Sequence, residues 1–261
     1  MKTFKFKLYG SKKNKFLNQK INIAGMIWNH CIALHKRYFR LYGKSLNVFQ
    51  LMKHITKRKK LARYSFWKEV DAQAIQDIVE RIDRSYQLFF RNLKQGIKTA
   101  PPKFKKVRFY TSITLKQTGW KLLGSNGSAG SPTNRIKIQG KTFKFFKSRN
   151  IPTDSKTVTI KRDSLGDFYL YFVVDVDSNQ ENQVKSGNIA GFDFGLKTFL
   201  TSSDCEKIES PLFYKQALEE LKKAQQNLSS KKKGSNHYKK AKLAVARIHA
   251  HITNQRKDFF F

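Results

Sequence analysis

Apolar and polar residues alternate at the start of the chain, where Phe4, Phe6 and Leu8 are interleaved with Lys5 and Lys7. That period predicts a half-buried strand over residues 1–9 with a basic outer face. From about Lys15 the apolar spacing changes to three and four. Leu17, Ile21, Ala24, Trp28, Cys31 and Leu34 form one helical stripe that runs until Gly43. A second helix is expected from about Trp67, with Ile75, Ile78, Ile82, Tyr86, Phe89 and Leu93 on its stripe, and Gly96 and Pro101–Pro102 end it. Between the two lies the dense basic run Lys53–Arg63. Either a solvated helix face or a set of phosphate contacts would produce such a run, and the charge of the whole chain favours contacts.

The period changes again over residues 103–177, which read as strands. Phe109–Leu115, Arg135–Ile138 and Lys141–Phe146 are short β-prone runs. Thr157–Arg162 and Phe168–Val176 form the clearest hairpin, joined by Asp163–Asp167. Gly124–Ser131 is a flexible insert between strands. Short strands at this spacing suggest a small barrel to which residues 1–9 return as a strand. After a polar linker over 178–186, Asn188–Thr201 opens a last stretch that continues as a helical hairpin. Phe213, Leu218, Leu221 and Leu228 form its first stripe. Ala241, Val245, Ile248, Ile252 and Phe259 form the second, and Ser229–Asn236 is the turn.

Charge sharpens this outline. Fifty-three Lys and Arg stand against 18 Asp and Glu in 261 residues, a formal net charge of +35. A compact body with that excess repels itself, and an anionic partner relieves it. Aromatics at 13% favour nucleic acid over a membrane surface, because bases offer a stacking face beside the phosphate. The candidate backbone contacts are Lys53, Lys57, Arg58, Lys59, Lys60 and Arg63, then Lys105 and Lys106, then Lys231, Lys232 and Lys233. The longest strongly apolar run, Phe168–Val174, is far short of the ~18 residues of a membrane span. MKTFKFKLYG holds no hydrophobic signal stretch, which argues against secretion and for a cytoplasmic, nucleoid-associated protein. Cys31 and Cys205 are too few for a disulfide framework or a four-cysteine zinc site.

One carboxylate stands out. If Ile189–Gly195 is a strand, Ala190, Phe192 and Phe194 face the core, and Asp193 shares its face with Gly191 and Gly195. A carboxylate on so bare a face leaves room for a divalent cation and a phosphate, although on this pattern alone an Asp that simply sets a turn before Gly195 is the favoured reading. Asp204, Glu206 and Glu209 fall in a turn-like segment, and Glu219, Glu220 and Asp258 lie on helices beside lysines. None offers a convincing second ligand. His249 and His251, two apart on a helix, point to different faces. Trp28 and Trp67 fit core stripes, and Trp120 could stack on a base. There is no phosphate-binding Gly loop and no Ser/His/Asp or Cys/His pattern.

The stretches NIAGFDFGLKTFLTSSDCEKI and LEELKKAQQNLSSKKKGSNHYKKAKLAVARIHAHITNQRKDF closely resemble the TnpB family, transposon-encoded OrfB proteins that are RNA-guided DNA nucleases related to type V CRISPR effectors. YQLFFRNLKQG, PPKFKKVRFYTSITL and KTVTIKRDSLGDFYLYF are similar to their counterparts as well. The resemblance implies an α+β multidomain chain. Its parts are a wedge β-barrel (residues 1–10 and 101–180), an inserted helical recognition domain (11–100), and the first part of an RNase H-like, RuvC-type nuclease domain (187–261). It implies guide RNA and double-stranded DNA as partners and Mg2+ as the family's cofactor. Asp193 falls on the first of three catalytic acidic positions and is the implied metal ligand. Gln76 and Thr114 match positions that face the short DNA motif beside the target.

The family pattern continues beyond the match to RKDF through a second acid, a zinc ribbon and a third acid, whereas this sequence stops at Phe261. The expectation is a truncated member, nuclease-inactive by itself. Its alternatives are a nuclease-dead RNA-guided repressor and a decayed remnant that binds nucleic acid non-specifically.

Overall fold

The computed structural model describes residues 2–116, 118–123, 134–149, 151, 155–174, 187, 189–195 and 197–260. The expected insert at 124–131 and linker at 178–186 lie outside them. The chain divides into two compact units, Met1–Val176 and Asp177–Phe261.

The alternation at the start forms strand β1 (Lys2–Lys7), with Phe6 and then Leu8 buried and Lys5 and Lys7 exposed. Helix α1 (Asn14–Tyr42) buries the expected stripe from Leu17 to Cys31 and leaves Leu34 half-buried. Gly43, at φ 63, ends it by donating its N–H to the Phe39 carbonyl. That left-handed conformation is one glycine adopts without strain. Helix α2 (Val48–Arg58) starts in a reciprocal capping box between Asn47 and Gln50, so the first half of the basic run is helical. Trp67 does not begin the next helix. It is buried in a 3-10 segment (Ala62–Glu69), and α3 (Ala72–Lys94) starts only after Asp71, whose carboxylate accepts from the Gln73 N–H. The extended backbone at Val70 and this cap outweigh the apolar stripe in placing the boundary.

A 3-10 turn (Val107–Phe109) precedes β2 (Ser112–Leu115), so the strand expected from Phe109 begins later. It is followed by β3 (Trp120–Leu122), which has no counterpart among the expected runs, and by β4 (Arg135–Ile138) and β5 (Lys141–Lys144). Strands β6 (Thr157–Arg162) and β7 (Phe168–Val174) make the expected hairpin. Its turn closes on Asp163, whose carboxylate accepts from the N–H groups of Leu165 and Asp167.

All strand pairings among the described residues are antiparallel. One sheet has the order β1-β7-β6-β2, and a second has β3-β4-β5. The sheets meet where the chain leaves β1. Leu8 bridges Phe145, Tyr9 N–H donates to the Lys144 carbonyl, and Phe146 N–H donates to that of Lys7. Phe6 fills this corner, with its ring edge-on to Phe145 at 5.6 Å and Phe172 at 5.8 Å. The N-terminal strand therefore returns to the later β block, as expected, and one apolar core runs through the strands and α1–α3.

Polar clamps fix helix to sheet. The Arg162 guanidinium, on β6, donates to the side-chain oxygens of Asn18 and Asn22 on α1 and to the Tyr110 carbonyl. At Gly25, α1 comes so close to Tyr110 that a Cβ would lie 2.9 Å from the Tyr110 Cβ, inside van der Waals contact. Among the described residues no helix is long and apolar enough to cross a membrane.

In the second unit, β8 (Phe192–Asp193), β9 (Thr198–Ser202) and β10 (Lys207–Glu209) form a small sheet of order β10-β9-β8. After a turn of helix, α4 (Phe213–Gln216), come α5 (Leu218–Ser229) and α6 (Asn236–Phe259), the expected hairpin. Leu221, Ile248 and Ile252 form its buried centre, and the Ser235 hydroxyl caps α6 by accepting from Tyr238 N–H. Phe192 and Phe194 do not face a core: they are 60% and 71% exposed. Strand β8 is two residues long and pairs with β9 alone, too little sheet to cover an aromatic face.

Gly25→Ala, which in a free helix adds about 1 kcal/mol of stability, is expected here to cost roughly 1 kcal/mol or more through overpacking against Tyr110. Urea unfolding followed by tryptophan fluorescence reads the difference, and a stabilised variant contradicts the close approach.

Candidate nucleic-acid interface

No Asp or Glu precedes Glu69, and none lies between Asp83 and Asp154. The two long acid-free stretches supply α1, α2 and the segment that leads into β2, so their cations are without local carboxylates in the sequence. In the fold, three ion pairs occur among the described residues: Lys7–Asp167 at 2.6 Å, Arg81–Asp77 at 2.7 Å and Lys116–Glu80 at 2.8 Å. None involves a predicted backbone contact.

Lys53 and Lys57 are exposed one turn apart on α2, and Lys60 and Arg63 are exposed just beyond it. Arg63 lies over the Tyr64 ring at 5.8 Å, with Arg58 near the same ring at 5.7 Å. Lys59 is half-buried, and burial lowers its pKa. Arg58 donates its Nε–H to His54 Nε2 at 3.3 Å, and that nitrogen also faces His30 Nε2 at 3.0 Å. Burial, then the neighbouring His54 and Arg58, push the His30 pKa down to about 4. Neutral imidazoles are what such a pair demands, since two charged rings at that distance would repel.

Lys105 and Lys106 are exposed on the segment after α3. This segment is latched to α1: Asn29 donates to the Lys105 carbonyl at 2.7 Å and accepts from the Lys105 N–H at 2.9 Å. The Lys105 ammonium sits 4.1 Å from the centre of the Trp28 ring. Lys231, Lys232 and Lys233 occupy the turn between α5 and α6 in the second unit. Trp28 and Trp67 are buried, as their stripes required, and Trp120 packs edge-on against Phe172 at 5.4 Å.

Gln76 is exposed on α3, the helix that packs against β2. Thr114 on β2 is engaged inside the protein: its hydroxyl accepts from Arg81 and lies 2.9 Å from the Thr159 hydroxyl. Arg81 in turn pairs with Asp77, which is 7% exposed and whose pKa is raised by burial against the opposing pull of Arg81. Thr114 is thus the end of a polar chain that locks α3 onto β2.

Asp193 lies on β8 opposite Thr201 and is exposed. The flanking glycines have different reasons. A Cβ on Gly195 would meet the Thr198 carbonyl oxygen at 2.7 Å, so backbone proximity explains that position, whereas Gly191 has only an ordinary contact with Ser203. Ser203 pins the segment through hydrogen bonds to both backbone groups of Gly191. Among the described residues no three His, Cys, Asp or Glu side chains come together as a metal site. A hard divalent cation wants about six oxygens. Asp193 alone therefore does not fit the paired-metal chemistry that its position implies.

Residues 171–261 match the family OrfB/IS605, described as "Probable transposase". A "Putative RNA-guided DNA endonuclease" of Streptomyces pristinaespiralis is 26% identical over 99% of this chain and 62% of its own length. The "Putative RNA-guided DNA endonuclease InsQ" of Escherichia coli K12 is 24% identical over 99% of this chain and 61% of its own. Residues 171–261 carry the family match, and the chain as a whole is similar to these two proteins. It spans about three-fifths of the length of these two relatives. A chain in the cryo-EM structure of a CRISPR-Cas12f ternary complex aligns with 96% of this chain and 59% of its own length, at TM-score 0.39 and 14% identity.

Two outcomes test the geometry of the interface. Arg81→Ala leaves the buried Asp77 carboxylate unpaired and is expected to cost about 2–3 kcal/mol at pH 7 by chemical denaturation, with much of the loss recovered in the Asp77→Asn/Arg81→Ala double variant. His30 is neutral when folded, with its pKa below the usual imidazole value. Its contribution is therefore complete above about pH 6.5 and is lost as pH falls toward 4. His30→Gln should flatten that part of the profile of melting temperature against pH, and an unchanged profile would contradict the neutral pair.

Proposed function

We propose that this chain binds guide RNA and, through it, double-stranded DNA, as the binding portion of a transposon-encoded RNA-guided DNA endonuclease of the cytoplasm and nucleoid. The observation that carries the reading is the broad, carboxylate-free set of exposed cations on α2 and the segment leading into β2. The names of two relatives that align with 99% of the chain support it. In this reading the two sheets form the wedge barrel, and residues 11–100 form the recognition domain. Residues 187–261 are the first part of a RuvC-type nuclease domain. Lys53, Lys57, Lys60, Arg63, Lys105 and Lys106, with Lys231–Lys233 in the second unit, contact phosphates. Gln76 reads base edges beside the target, and Thr114 supports that face through Arg81.

Asp193 is the first metal-binding acid of the nuclease. Holding the Mg2+ ions takes further carboxylates. With Asp193 alone in place, the 261 residues bind but do not cut. A repressor that holds matched DNA uncut would rest on the same helical and β segments and their exposed cations.

Affinity for an RNA from the transposon end, measured against a scrambled RNA of equal length, tests the binding half. A clear preference is expected, and equal affinities would point to a non-specific remnant. Lys53→Ala/Lys57→Ala/Lys60→Ala should flatten the slope of log K against log salt by about 0.7–0.9 per lost contact. With matched duplex and Mg2+ added, retention without cleavage is expected. Cleavage that disappears in Asp193→Ala would overturn the inactive reading.

A further inference from the structure

One groove in the first unit is built differently from the exposed basic surface around it. It lies between α1, α2 and the segment around Phe104 and encloses about 500 Å³. Lys36, Arg37 and Arg40 line it from α1, Arg58 and His54 line it from α2, and Phe104 closes one side. No acidic residue contributes to it, and none of its four cations belongs to an ion pair of the described residues. His30 and His54, which also line it, carry no negative charge and do not compensate the cations. His54 accepts from Arg58, which fixes the guanidinium's Nε and leaves its two terminal nitrogens as donors.

The aromatic wall is held in place. Phe104 is 54% exposed although its neighbour Lys105 is fixed to Asn29 by two hydrogen bonds, and the Lys36 ammonium stands 4.7 Å from the centre of its ring. A large exposed ring on a latched backbone, beside four cations outside those ion pairs, offers a stacking face and phosphate donors together. A duplex hides its bases inside the stack, so only an unpaired nucleotide can use both.

We infer that this groove binds an unpaired nucleotide of single-stranded nucleic acid, with its base stacked on Phe104 and its phosphates held by Arg37, Arg40 and Arg58. The inference rests on the nucleic-acid-binding reading above and adds strand state and named contacts to it. Guide RNA and an opened DNA strand share this chemistry.

The test compares wild type, Phe104→Ala, Phe104→Trp and Arg37→Ala/Arg40→Ala. Each is titrated by fluorescence anisotropy against single-stranded RNA, single-stranded DNA and duplex DNA of one sequence. Phe104 is exposed, so its variants should keep the wild-type circular dichroism spectrum. Phe104→Ala is expected to weaken single-strand binding about five- to tenfold with no change in salt slope, and Phe104→Trp to restore it. Arg37→Ala/Arg40→Ala should flatten the single-strand slope by about 1.4, or 0.7 per contact. Loss for RNA alone assigns the groove to the guide, and loss for both strands assigns it to any unpaired segment. Unchanged single-strand affinity in Phe104→Ala, or an equal loss for duplex, overturns the inference. If wild type binds none of the three, the nucleic-acid reading itself fails.

Discussion

The structure is organised around a charge imbalance that it cannot neutralise from within. With 53 cations to 18 anions, pairing is a minor resource, and five acids of the first unit are engaged in locking the fold. Asp71 caps α3, Asp77 holds Arg81, Glu80 holds Lys116, Asp163 closes a hairpin turn and Asp167 holds Lys7. Cations that must enter the fold are met by neutral oxygens instead. Arg162 is bound by two asparagines and a carbonyl, and Lys20, 4% exposed, donates to the Glu69 carbonyl. Cohesion then falls to the apolar core, and the surplus charge stays on the surface where an anion can reach it.

That division of labour ties architecture to function. The corner at Phe6 and the single core behind it hold α1, α2 and α3 against the sheets, with only a few ion pairs and neutral clamps added around α3 and α1. The helices can then carry acid-free faces. The latch from Asn29 and the capping box at Asn47 position cations and rings by neutral hydrogen bonds. A partner rich in phosphate gains the attraction that the fold does not use.

Much of this was legible in the sequence, because a long three-and-four stripe fits only a helix and strict alternation fits only a half-buried strand. The N-terminal strand, α1 to Gly43, the 157–174 hairpin and the helical hairpin of the second unit all follow from period. Boundaries set by local competition did not. Trp67 belongs to the stripe in sequence but sits in a 3-10 segment, since Val70 and the Asp71 cap interrupt the helix. Strand β3 is too short to show a period, and alternation at Ile189–Gly195 misplaced Phe192 and Phe194, because it says nothing of whether a sheet is wide enough to cover them. At the candidate site, Asp193 and the basic runs could be named from residue type alone. The groove at Phe104 could not, because its walls come from three segments far apart in sequence. Only the acid-free stretches hinted at it.

The central claim is that the uncompensated charge serves a particular nucleic acid and not polyanions in general. Sequencing the RNA that stays bound through a high-salt wash, after purification of the chain from the cell that encodes it, tests this most directly. The account predicts one dominant, structured RNA from the neighbouring transposon end. A heterogeneous mixture that leaves with salt would contradict it.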